Sequence, residues 1–313
     1  MAYNIKDLVV HNEFTDYLAQ AMVDRSTLIK SGIAAVDPAI SAVVGAAGTK
    51  GNFVSLPFFN QLGDGAAAVG DIIKNDGTEL SVTQLSAAED VAVIMRRGKA
   101  FGMTDLDAML TGADPLAAIA NGLADWWNAE KQGRLIKVLE GAFATALAGH
   151  VVGTGAETLT ADLILDAANT LGDRKGDIVA YAMNSATENF LMKLNTSYMF
   201  RPSDTPARLT TFNGRAVVVD DNISDGVVYL FGQGAVALNP GQAVNPVEMF
   251  RDELKSQGGI VSRDTSIIHL RGVKWNVTTV NPDNAALATG SNYALAYPHK
   301  LVRAAKLKAK ISA

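Results

Sequence analysis

The chain contains no cysteine among its 313 residues. That excludes a disulfide scaffold, a thiolate metal site and a cysteine nucleophile. It also lacks a dominant charge of one sign: 27 Lys and Arg stand against 32 Asp and Glu, a formal net charge of −5. The whole chain therefore carries no basic footprint of the kind a nucleic-acid reader shows. Long hydrophobic runs are missing too. Gly141–Ala156 is uncharged, but it is short and rich in glycine and alanine, and makes no membrane span. Lys6, Asp7, Glu13 and Asp16 interrupt the N-terminus, which excludes a secretory signal and predicts a soluble, cytosolic protein.

Catalytic signatures are equally scarce. There is no G-x-S-x-G elbow and no Walker loop. The G-D-G at Gly63 and the G-T-G at Gly153 lack the strand-then-helix setting of a dinucleotide fingerprint and read as turns. His11, His150, His269 and His299 are scattered, with no partner at ligand spacing, so neither a metal nor a cofactor is expected. Asp220 and Asp221 follow the apolar run RAVVV, where some α/β enzymes hold Mg²⁺. Asp221 and Asn222 fit a turn or helix cap better. Asp105 and Asp107 read as the start of a short helix.

What the chain does have is a globular composition, 48% hydrophobic and 19% charged, at a length that suggests two subdomains or one domain with extensions. Its plainest element is Asp114–Ala148. Asp114 suits an N-cap and Pro115 the first helical position. Leu116, Ile119, Leu123, Trp127, Leu135, Val138, Leu139, Ala142, Phe143 and Ala146 follow at helical spacing, with Gly149 as a stop. Unbroken, this helix would be about 50 Å long. The polar waist Asn128–Arg134 contains Gly133, so two helices meeting there is the alternative. Trp126 and Trp127 are read as core or interface anchors.

Before this helix, Glu13–Lys30 predicts an amphipathic helix and Ala34–Gly48 an extended arm or short helix with little core. Gly51–Phe59 and Glu79–Phe101 predict the two strands of a long hairpin around a glycine-rich tip. An isolated ribbon is marginal in water, and an exposed edge invites pairing. Such a ribbon suggests a covering molecule. After the helix the pattern is mixed. Thr160–Gly172 predicts a helix, Gly176–Met183 a buried strand, and Ser185–Leu194 a helix opened by a capping box, SATE. Arg215–Val219 predicts a strand, Val227–Phe231 and Ala235–Leu238 a strand pair, and Ile260–Val280 further strands. Asn281–Gly290 predicts a turn with a short helix. The basic tail His299–Lys310 fits a terminal edge strand, with phosphate contact as the alternative.

One stretch is more specific. From Val247 the chain reads VEMFRDELKSQGGIVSRDTSIIHLRGVKW, and it resembles the C-terminal signature of a branch of tailed-bacteriophage major capsid proteins. The matching positions are Val247, Glu248, Arg251, Asp252, Gly258, Gly259, Ser262, Arg263, His269, Arg271, Gly272, Lys274 and Trp275. FNGRAVVVDDNI (Phe212–Ile223) and NPDNAALATGSNY (Asn281–Tyr293) are similar to other recurring pieces. The order of elements matches as well.

The resemblance implies an α+β chain of the Hong Kong phage (Johnson) capsid fold. It would comprise an N-terminal arm (1–50), an extended β-hairpin loop (51–103), a long spine helix with a peripheral subdomain (104–175), an axial subdomain (176–270) and a C-terminal return to the peripheral subdomain (271–313). Function would be structural rather than enzymatic: self-assembly through pentamers and hexamers into the icosahedral head of a tailed double-stranded DNA phage, with procapsid maturation. The expected partners are other copies of itself, scaffolding and portal proteins, and non-specific contact with packaged double-stranded DNA, with no membrane. The virion capsid is the expected location, with assembly in the host bacterial cytoplasm. The arm begins without a long charged helical segment, so scaffolding would be a separate protein or a removed piece. Phe58, Phe59, Ile72, Ile73 and Lys74 of the extended loop are the expected intersubunit residues. Lys74 and Asn75 lie near the tip, but no motif fixes a cross-link partner. The alternatives are an encapsulin-like compartment shell, which shares the fold, and a Mg-dependent α/β enzyme using Asp220 and Asp221.

Overall fold

The computed structural model describes residues 33–47, 51–60, 87–105, 115–194, 199–200, 210–241, 243 and 245–311. In chain order the first elements are β1 (Ala34–Ala35), helix α1 (Pro38–Ala47), β2 (Phe53–Phe59), β3 (Ala87–Val93) and β4 (Met95–Thr104). The spine helix α2 (Pro115–Ala144), β5 (Val151–Val152), α3 (Ala161–Asn169), β6 (Ile178–Met183) and α4 (Ser185–Leu194) come next. They are followed by β7 (Met199–Phe200), β8 (Thr210–Phe212), β9 (Arg215–Val219), β10 (Val227–Gly232) and β11 (Val236–Pro240). The remainder is β12 (Val247–Asp252), β13 (Gln257–Leu270), β14 (Val273–Trp275), α5 (Asn284–Ala288), β15 (Tyr293–Leu295) and β16 (Ala304–Lys308).

Two larger sheets organise these elements. A five-stranded sheet is built around β13, whose 14 residues pair with β4 on one edge and with β12 and β11 on the other. A seven-stranded mixed sheet runs β5-β16-β10-β6-β9-β8-β7. β2 and β3 form a separate antiparallel ribbon, and β14 pairs with β15.

The spine is one helix of 30 residues, about 45 Å at 1.5 Å per residue. Gly133 does not break it. The helix ends at Ala144, before Gly149, which lies inside a 3₁₀ turn at Ala148–His150. Its two halves dock differently. Leu123 and Trp127 bury against Val247 and Ile260 of the five-stranded sheet, with Phe101 and Trp126 at the margin. Leu135, Val138, Leu139, Ala142 and Phe143 enter the main core with Tyr229 and Phe231 of β10 and Ile268 and Leu270 of β13. The spine's second half thus joins the two sheets in one core.

The polar waist Asn128–Arg134 is half-buried on most of its residues and turns one side chain fully inward. Arg134 is fully buried. Its guanidinium lies 2.5 Å from Glu130 and 3.0 Å from Asp264 on β13, and donates to Ser266 Oγ at 2.9 Å. Lys131 Nζ meets the other Asp264 oxygen at 2.9 Å. Burial pushes the Asp264 carboxyl up, but Lys131 and Arg134 outweigh it and hold the group below the ordinary carboxylate range. The waist is therefore an ionic dock between helix and sheet.

Four local expectations are corrected. β10 and β11 do not pair with each other: the turn at Gly232–Ala235 carries the chain from the seven-stranded sheet to the five-stranded one. Glu79–Phe101 is not one hairpin arm, because after Val93 the chain leaves the ribbon and β4 pairs with β13. The basic tail forms β16, which lies between β5 and β10 rather than at the edge. Helix α4 is capped by Asn184, whose Oδ1 accepts from the Thr187 amide at 2.8 Å, and not by the predicted box. Thr160 caps α3 as expected, and Asp283 caps α5.

Candidate functional site

The enzyme-like candidates resolve into local structure. Asp220 Oδ1 accepts from the Asn222 amide at 3.0 Å and from its side chain at 2.8 Å. Asp221 Oδ1 accepts from the Ser185 amide at 2.9 Å, and the Ser185 hydroxyl together with that amide holds the carboxyl below its usual value. Both acids are engaged in turn and helix-start hydrogen bonds. Among the described residues no group of three or more His, Cys, Asp and Glu is placed to hold a metal ion. The fold brings the rings of His150 and His299 to 5.6 Å, but His150 Nδ1 is engaged with the Ala304 carbonyl at 2.8 Å. Burial lowers the His150 pKa. Asp105 follows β4 and pairs with Arg251 at 2.7 Å, and Asp107 lies outside the described residues.

The candidate site is instead a surface, the β2–β3 ribbon. Alternation along β2 splits its side chains between two faces. Val54, Leu56 and Phe58 face inward, opposite Ala92, Asp90 and Ala88 of β3. Val54 and Ala92 pack with Ile40 and Val44 of α1, and the Phe58 ring meets Tyr297 edge-on at 4.6 Å. Ser55, Pro57 and Phe59 lie on the outer face with Glu89 and Ala87, and all five are exposed. Phe59 is 72% exposed, a large aromatic surface presented to solvent. Of the expected intersubunit residues, Phe58 is turned toward its own chain and Phe59 is free to meet another. Ile72, Ile73 and Lys74 lie outside the described residues.

The ribbon is held at its root. Arg96 donates to the Gly51 carbonyl at 2.6 Å and to Asn52 Oδ1 at 3.1 Å. Farther along β3, Asp90 is almost fully buried. Its Oδ2 accepts from the Gly272 amide at 3.0 Å and lies 3.0 Å from His269 Nε2. Burial raises its pKa, but His269, the Gly272 amide and Arg271 together hold it below the usual carboxylate range. Sequence reasoning missed Asp90. The signal was its parity: it is an acid on the same face of β3 as the small apolar Ala88 and Ala92, opposite Leu56.

This architecture, a long spine helix between two sheets with a ribbon on one flank, has known relatives. Residues 12–301 match the Gp13-like family, described as major capsid protein 13-like. The chain belongs to this family of major capsid proteins. It is 32% identical, over 330 aligned positions covering all of both chains, to the major capsid protein of Bacillus phage SPP1. Solved structures share the fold at much lower identity. The Microbacterium phage Oxtober96 structure matches with a TM-score of 0.55 at 11% identity, over 88% of this chain and 94% of that one. The cyanophage Pam1 capsid asymmetric unit matches with a TM-score of 0.52 at 16% identity, over 70% and 80%.

The capsid subunit therefore has the Hong Kong phage fold, and its role is structural: it is a major capsid protein of a tailed phage, located in the virion. Family membership decides for the viral shell over the encapsulin-like compartment and the Mg-dependent enzyme. In a shell subunit the working parts are surfaces that close by symmetry, so an exposed ribbon matters more than a pocket.

Proposed function

We propose that the β2–β3 ribbon, with the segment at its tip, is the arm by which each subunit covers a neighbour within pentamers and hexamers. The carrying observation is the ribbon's asymmetry. Its inner face is spent on its own chain, whereas Pro57 and Phe59 stand exposed on the outer face of a ribbon that, among the described residues, pairs with no further strand. Ile72, Ile73 and Lys74 would extend the same contact.

The subdomain reading follows the two sheets. Its boundaries differ from those expected of the sequence, which put 176–270 in the axial subdomain and 271–313 back in the peripheral one. In this reading β11–β13 (236–270) join the first half of the spine in the peripheral unit, and β16 joins the seven-stranded sheet as the axial unit. Scaffolding and portal proteins complete the assembly, which takes place in the host bacterial cytoplasm. Packaged double-stranded DNA is held by confinement with non-specific contact, so a net charge of −5 is no obstacle.

The cysteine-free chain makes the test direct. In a Phe59→Cys subunit the introduced thiol is the sole one. Its alkylation should be fast in the free subunit and strongly slowed in assembled shells. Equal rates in both states would count against the ribbon as an intersubunit arm.

A further inference from the structure

The geometry points to Asp90 as the positioning residue that fixes the angle of the β2–β3 ribbon to the subunit body, with His269 and the Gly272 amide as its receivers. The inference rests on the ribbon being the assembly arm, because an arm must leave the body in one direction to meet its neighbour.

The ribbon's other attachments leave that direction loosely set. Covalently it joins the body through Gly51–Asn52 and through Ile94, between β3 and β4, where the Ile94 amide donates to the Asn52 carbonyl at 3.0 Å. Arg96 clamps this same root through the Gly51 carbonyl and Asn52 Oδ1. The inward contacts of Val54, Leu56 and Ala92 with Ile40 and Val44 of α1 and with Ala237 and Ile267 of the five-stranded sheet are apolar, and the hydrophobic effect behind them is non-directional. Phe58 against Tyr297 is a single edge-on ring contact.

Asp90 differs in kind. It lies two residues farther from the root than Ala92, and one oxygen touches both a ring nitrogen and a backbone amide of the body at 3.0 Å. Swinging the ribbon would stretch both contacts at once. The amide is available because Gly272 adopts φ +88°, and a Cβ there would lie 2.7 Å from the Tyr297 ring and 2.9 Å from Val302. The site is not well explained as a stability device. Among the described residues neither Asp90 Oδ1 nor His269 Nε2 makes a well-directed hydrogen bond, so the Asp90–His269 contact is an ion-pair approach and the Gly272 amide supplies the directed bond. Buried ion pairs are on average no better for stability than well-packed apolar residues. What a buried carboxylate adds over an apolar side chain is orientation.

The test is a distance measurement on the unassembled full-length chain, so its outcome is independent of whether shells form. Spin labels on Phe59→Cys and Ala129→Cys report the ribbon against the spine. Labels on Ala129→Cys and Ala186→Cys report the body alone. With Asp90 in place the ribbon pair should give one narrow distance distribution. Asp90→Ala should spread it into a broad or multiple one, while the body pair stays narrow. Asp90→Asn keeps an acceptor for the Gly272 amide and should fall between the two; it carries the test if the alanine variant does not fold. Glu89→Gln, on the outer face, should match the parent. A ribbon pair that stays narrow without the Asp90 carboxylate overturns the inference, as does equal broadening of both pairs.

Discussion

Arg134→Ala would leave the half-buried carboxylates of Glu130 and Asp264 with one fewer cation. Removing one partner of a buried ion pair costs about 3–5 kcal/mol. Lys131 still reaches Asp264 at 2.9 Å, so Arg134→Ala should fall toward the lower end of that range. Chemical denaturation of the unassembled subunit measures it. The same residues set an acid limit. Asp90, among His269, Arg271, Asp37 and Tyr297, and Asp264, among Lys131, Arg134 and Glu130, both have folded pKa values below their unfolded value of 3.8. The stability they contribute is fully present above that value and is lost as pH falls through the lower folded values. These two acids should leave the urea midpoint unchanged down to about pH 5 and lower it below about 4. Buried His150, whose folded pKa lies below its ordinary 6.5, should add a shallower fall that begins near that value. An Asp264→Asn subunit should start weaker and lose less on acidification. The polarity of this waist was visible in the sequence. Its burial was not, because the partner acid lies 130 residues away on a strand whose pairing is non-local.

At the scale of elements, the spine helix carries two glycines with opposite roles. Around Gly133 a Cβ would meet nothing within 4 Å, so Gly133→Ala should stabilise by about 0.5–1 kcal/mol through helix propensity. At Gly141 a Cβ would lie 2.3 Å from the Leu287 carbonyl oxygen and 2.4 Å from the Tyr293 ring. Gly141→Ala should instead destabilise, by about 1–3 kcal/mol as overpacking does. Paired thermal melts of the two variants test the helix's docking against α5 and β15. The helices were legible because their signals are local: a cap, a period and a stop. Strands were legible as runs but not as partners. RAVVV and the run at Val227 gave their own positions correctly, yet nothing in Val227–Leu238 shows that the chain changes sheets at Gly232. The ribbon was legible as a hairpin, while the point where its second arm joins another sheet, at Ile94, was not.

At the scale of the whole molecule, the late motifs from Val247 to Trp275 made the family readable before any contact was known. They lie on β12, β13 and β14, the strands around which the five-stranded sheet and the hairpin's anchor are built. Exposed surface is harder to read, since a solvent-facing Phe59 and a neighbour-facing one have the same sequence. Removing residues 61–86 and closing the ribbon with a short turn should leave a folded subunit, with its core sheets untouched, that fails to form shells. Circular dichroism with sedimentation separates those two properties. The most direct measurement is electron microscopy of the purified full-length chain, co-expressed with any scaffolding protein that its assembly requires. Closed icosahedral shells, with the β2–β3 ribbon of each subunit lying across its neighbour, are the predicted result. A chain that remains monomeric under those conditions, or shells in which the ribbon contacts only its own subunit, would contradict it.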